Sequence, residues 1–90
     1  MVVTIYIIVV YDINSKYVNK IHKYLRTHIT WIQNSLFEGE VTKAQYNQIK
    51  QDLKELINTE KDSIIIYEVP EKYLKKTIIG TEKNPIEFII

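Results

Sequence analysis

Asp12 ends the run Val2-Val3-Thr4-Ile5-Tyr6-Ile7-Ile8-Val9-Val10-Tyr11, and the next acidic residue is Glu38. So apolar and β-branched a run reads as a strand buried on both faces, with the carboxylate standing where that strand meets solvent. An isolated acid at a strand exit is the first candidate for chemistry. The same residue type also suits the start of a turn and helix, because Asp and Asn bond nearby backbone. Lys16, Lys20, Lys23 and Arg26 follow it. On a helix they fall within a sector of about 120°, a row that a phosphate backbone can meet and that an ordinary solvated helix face also explains.

Other chemistry-bearing residues lack the spacing for a site. Glu38 and Glu40 alternate on one face of a strand but have no companion at metal-ligand spacing, so the expectation for both is solvation at a sheet edge. His22 and His28 lie about 120° apart on a helix, which excludes shared ligation and leaves packing or surface roles. Trp31 and Phe37 read as core or interface rather than base-stacking platforms. Ser35 has no nucleophile-elbow context, Gly39 and Gly80 belong to no phosphate loop, and no nucleotide cofactor is expected.

The elements that must position these residues are legible. Val18, Ile21, Leu25 and Ile29 recur at helical spacing after the capping residues Asn14 and Ser15, which predicts a first helix over roughly 15–28. Trp31-Ile32-Gln33 and Leu36 to Val41 read as two antiparallel strands about an Asn34-Ser35 kink. Thr42 with Gln45 makes a capping box, and Tyr46, Ile49, Leu53, Leu56 and Ile57 share a face, predicting a second helix over roughly 43–57. Ser63 to Val69 is a further strand, stopped by Pro70. The order β-α-β-β-α-β is that of an α+β, ferredoxin-like sandwich in one domain spanning 1–90, with both helices on one sheet face. Ile86 to Ile90 is surplus to four strands. Residues 81–90 are therefore expected to form an extra C-terminal strand that pairs with a sheet edge of a second subunit, making the protein a homodimer through its uncovered sheet face.

Composition sets the outer bounds. The 90 residues are 46% hydrophobic and 26% charged, with two glycines and two prolines, a globular composition without linker or low-complexity segments. A chain this short removes only about 60–65% of its unfolded surface from water, so self-association is an expected supplement. With no cysteine there is no disulfide, thiolate nucleophile or cysteine metal site, which fits a cytoplasmic protein. The apolar N-terminus lacks a basic region and a cleavage site, so it reads as a core strand rather than a signal peptide, and no membrane partner is expected. The first 37 residues carry four basic side chains against Asp12 alone, a balance of +3, whereas residues 38–90 carry eight lysines and ten acids, a balance of −2. Nucleic-acid contact belongs to the N-terminal third.

Tyr11-Asp12-Ile13, the helix after it, Gln33-Asn34-Ser35-Leu36-Phe37-Glu38-Gly39, the late Ile79-Gly80 and the C-terminal strand together resemble the small CRISPR-associated adaptation protein of the Cas-two family. The resemblance covers nearly the whole chain. It implies a ferredoxin-like homodimer that bridges dimers of the CRISPR integrase during spacer acquisition and binds nucleic acid. It further implies a Mg2+-dependent endonuclease acting on single-stranded RNA or double-stranded DNA, with Mn2+ as an alternative metal. The family's metal and catalytic residue matches Asp12, one from each subunit facing across the dimer axis. Mg2+ takes one or two carboxylates and keeps several waters, and in phosphodiester hydrolysis it polarises the phosphate and lowers the pKa of a bound water. Family members often carry arginines on the first helix and before the Gln-x-Ser motif. Here lysines and Trp31 stand instead, giving point charges rather than bidentate forks.

Two other readings use the same residues. One is a non-catalytic protein- and DNA-binding scaffold whose acidic C-terminal region docks on the integrase. The other is an RNA-cleaving toxin of related fold.

Overall fold

Strand β1 (Thr4–Asp12) leads to helix α1 (Val18–Arg26), then β2 (Thr30–Gln33), β3 (Leu36–Thr42), helix α2 (Lys43–Leu56), β4 (Ser63–Val69) and a 3-10 turn at Glu71–Tyr73. The computed structural model describes residues 2–14 and 16–83. The four strands form one sheet in the order β2-β3-β1-β4 with every neighbouring pair antiparallel, as the ferredoxin-like reading requires. Residues 81–83 carry no strand, and the predicted strand at 86–90 lies outside the described residues.

Alternation along β1 builds the core. Ile7, Val9 and Tyr11 point to the helices and are buried, packing with Ile21 and Leu25 of α1, Phe37 and Val41 of β3, and Tyr46, Ile49 and Leu53 of α2. Tyr6, Ile8, Val10 and Asp12 necessarily point the other way. That second face is not buried as the apolar run suggested, for Val10 is 36% exposed and both helices lie on the opposite side. A two-layer sandwich covers one sheet face only.

Helix α2 follows its prediction to within a residue, because the capping box is complete: Gln45 N donates to Thr42 Oγ1 at 3.0 Å and Thr42 N to Gln45 Oε1 at 2.8 Å. Helix α1 is shorter than expected. It starts at Val18 after an N-cap, Tyr17, that supplies no side-chain bond, since Asn14 is drawn away toward the loop before β4. Lys16 consequently precedes the helix rather than riding on it. The hydroxyl of Tyr24 on α1 donates to Asp52 of α2 at 2.5 Å and ties the two helices.

The β2–β3 hairpin turns through Asn34-Ser35, flanked by the pair Gln33 and Leu36. Asn34 takes φ +45°, a conformation Asn tolerates far better than β-branched residues and one that two-residue hairpins demand. Gly39 of β3 lies opposite Ile7, on the core side. A Cβ there would stand 2.9 Å from Ile29 Cγ2 and 3.0 Å from Ile29 Cβ.

Candidate functional site

Asp12 is the last residue of β1. It is exposed on the open face, in line with Ile8 and Val10, and its register partner is Ser63 at the start of β4. Pairing of β1 with β3 stops at Val10 and Leu36. Beyond that point the strand is held by Tyr11 N donating to Ser35 O at 3.2 Å. Two residues on, the chain is fastened to the loop between α2 and β4. Asn14 N donates to Asp62 Oδ1 at 2.9 Å, Asn58 N to Asp62 Oδ2 at 2.9 Å, and Asn14 Nδ2 to Lys61 O at 3.0 Å.

Beneath Asp12, on the helix side, Tyr11 Oη and His22 Nδ1 are 3.1 Å apart. The His22 ring meets Trp31 edge-on at 4.7 Å and Phe37 at 5.2 Å. Burial lowers the His22 pKa below 6.5, with the nearby Arg26 charge acting in the same direction, and burial raises Tyr11. His22 is thus packed against the core aromatics, one of the packing or surface roles that its spacing from His28 left open. A base whose folded pKa is depressed leaves the unfolded chain holding more protons, so stability is full above pH 6.5 and falls as pH drops below it. Thermal midpoints measured between pH 8 and 5 should fall in the wild type and fall less in His22→Gln. Parallel curves would show that His22 is not the titrating group.

The donor set suits a particular kind of metal site. Among the described residues no group of three or more His, Cys, Asp or Glu could hold an ion as a protein cage. One exposed carboxylate does fit a hydrated Mg2+, which is commonly held by one or two carboxylates and retains water elsewhere.

Lys16, Lys20, Lys23 and Arg26 are all exposed. The ammonium groups of Lys16 and Lys20 lie 5.6 and 5.5 Å from the centre of the Tyr17 ring, within cation–π range. The row belongs to the helix layer, whereas Asp12 belongs to the open face. In the chain Lys16 is the member of the row nearest Asp12, four residues after it.

The carboxylates of β3 depart from expectation. β3 is an interior strand, so Glu38 is not solvated at an edge. It is 8% exposed and pairs with Lys76 from the segment after β4. Glu38 and burial hold the Tyr6 phenol above its usual range, burial first, and the hydrogen bond to Glu38 raises Lys76. Glu40 is exposed, and the neighbouring Glu71 carboxylate raises its pKa. Trp31 packs on His22 and donates from Nε1 to Asn34 O at 2.9 Å, and Phe37 is wholly buried. Both aromatics are structural, as read. Sequence reasoning missed the Glu38–Lys76 pair and the Asp62 bridge. Strand order was the one signal for the former; nothing local marks Asp62 among the polar residues around it.

The open face also carries apolar surface beyond Val10. Ile65 is 49% and Tyr67 55% exposed, and the register sets them beside Val10 and Ile8.

No helix among the described residues is long and apolar enough to cross a membrane. The family described as CRISPR associated protein Cas2 matches residues 5–77. A Methanocaldococcus jannaschii protein named CRISPR-associated endoribonuclease Cas2 is 50% identical over 88 residues, covering 97% of this chain and 77% of that protein. One of the same name from Pyrococcus furiosus is 52% identical over 85 residues, covering 94% and 99%. The crystal structure of a Cas2 protein superposes with a TM-score of 0.82 at 44% identity, covering 98% of this chain and all of that one. With the family model spanning most of the chain, relatives at 50–52% identity and a superposing Cas2 structure, the chain belongs to the Cas2 family of CRISPR-associated proteins.

Proposed function

We propose that this chain is a CRISPR adaptation subunit. It acts as a homodimer that binds nucleic acid, bridges the CRISPR integrase in the cytoplasm and cleaves phosphodiester bonds with Mg2+ held at Asp12. The observation that carries this reading is the position of Asp12 on the open sheet face, in line with Ile8 and Val10 and on the face that exposes Ile65 and Tyr67. An apolar face left open by a two-layer sandwich is a natural interface. A two-fold interface is self-complementary, so covering this face with its own copy brings each Asp12 toward its counterpart.

Within that dimer the chain's own residues divide the work. Asp12 supplies the anionic oxygens, and Lys16, Lys20, Lys23 and Arg26 draw the phosphate backbone across the strand exit, doubled by the two-fold axis. Mg2+ bound there would polarise the scissile phosphate and lower the pKa of a water. The endoribonuclease names of the relatives favour RNA as the first substrate class; we take single-stranded RNA as its first form and duplex DNA as the second class. A non-catalytic scaffold is the second reading, favoured by the single carboxylate each chain contributes.

The test uses end-labelled single-stranded RNA and duplex DNA, each with Mg2+ and with EDTA, at several salt concentrations. Expected results are cleavage in Mg2+ alone, and binding in EDTA that weakens steeply with salt as neutralised phosphates recover counterions. Cleavage that persists in EDTA rejects the metal site. Salt-resistant binding rejects the basic row. Binding without cleavage under any condition selects the scaffold.

A further inference from the structure

We infer that Asp62 is a positioning residue for Asp12: its buried carboxylate bridges the exit of β1 to the loop after α2 and thereby sets where the Asp12 carboxylate stands. The inference rests on the reading of Asp12 as the metal residue.

The site needs such a device. Asp12 lies past the last β1–β3 pair, and α1 does not begin until Val18. Its sheet neighbour is Ser63, the residue directly after Asp62. Asp62 is 8% exposed, and a carboxylate so far out of water must be well bonded. Both of its oxygens accept from main-chain N–H groups, Oδ1 from Asn14 and Oδ2 from Asn58, each at 2.9 Å. Its own N–H donates to Asn58 O at 2.8 Å, and Asn14 Nδ2 donates to Lys61 O at 3.0 Å. The carboxylate therefore holds the main chain two residues past Asp12 against the loop that enters β4.

The residue type matters. Charge-assisted bonds to two amides need two acceptor oxygens, and asparagine has one. In Asp62→Asn an amide NH2 must face one of the N–H donors, so one anchor is lost while size and shape are kept. A ligand displaced by about an ångström binds its ion less well even when the fold is intact.

The experiment compares wild type, Asp62→Asn, Asp62→Ala and Asp12→Asn as full chains. Mn2+ affinity is read by electron paramagnetic resonance, Asn14 amide exchange by NMR, and the Mg2+ half-saturation of cleavage alongside. Asp62→Asn should unfold cooperatively, exchange the Asn14 amide faster and bind Mn2+ about tenfold more weakly, as supporting contacts to metal ligands do when lost. Its cleavage rate should recover at saturating Mg2+. Asp62→Ala should weaken Mn2+ further; if it does not fold, Asp62→Asn decides alone. Unchanged Mn2+ affinity in folded Asp62→Asn overturns the inference and leaves Asp62 as a loop fastener. Wild-type Mn2+ binding by Asp12→Asn overturns the metal reading itself, whatever Asp62 does.

Discussion

Replacing Asp12 by asparagine is expected to lower Mg2+-stimulated cleavage by about a hundredfold or more, since loss of a direct ligand should exceed the 10–100-fold cost of losing a supporting contact. The substitution keeps the shape and removes the charge. Because the side chain is exposed at the end of β1, stability should change by no more than about 0.5 kcal/mol, the usual range for surface positions. Sedimentation should show the same dimer, and thermal unfolding nearly the same midpoint. In the proposed dimer both anchoring carboxylates are lost at once, so the effect should not be recovered by excess Mg2+. Full cleavage by purified Asp12→Asn, with an inactive mock preparation as control, would move the metal site elsewhere.

The largest effect on stability should come from Gly39→Val. The glycine sits on the core side of an interior strand, and a Cβ there meets Ile29 Cγ2 at 2.9 Å and Cβ at 3.0 Å. Neither contact is the yielding end of a long chain, since Ile29 is β-branched and itself buried. Overpacking of this kind costs typically 1–3 kcal/mol, and valine adds two further carbons, so a loss of about 3 kcal/mol is expected. For a domain this size that lowers the thermal midpoint by roughly 12–24 °C. Equilibrium urea unfolding measures the change directly. The double variant Gly39→Val with Ile29→Ala should be less destabilised than the two single losses combined, because the two side chains contend for one space. Simple additivity would place the strain elsewhere.

Much of this architecture is written in short-range pattern. Thr42 and Gln45 announce α2 because both halves of a capping box lie within one turn. β4 runs from Ser63 to Val69 as read, since Pro70 ends the strand physically. The apolar run of β1 marks a strand but not its faces: it read as buried on both, whereas Ile7, Val9 and Tyr11 are buried and Val10 is exposed. The first helix misleads for a reason equally concrete. Asn14 is a good cap in isolation, yet its hydrogen bonds go to residues 61 and 62, a competition no local rule can see.

The acids divide the two kinds of information most clearly. Asp12 was identifiable as the exposed acid at the strand exit because its own neighbours in the chain, an apolar run and then a turn, define that place. Glu38 and Asp62 also sit among ordinary polar and apolar neighbours, yet one is buried against Lys76 and the other against two main-chain amides. The Lys76 and Asn14 contacts join residues 38 and 48 positions apart. Helix and strand periodicities relate side chains a few residues apart, so the sequence by itself determined the elements, their order and the exposed acid. Only the assembled sheet, which made β3 an interior strand and set two loops side by side, decided which carboxylates are buried and what they hold in place.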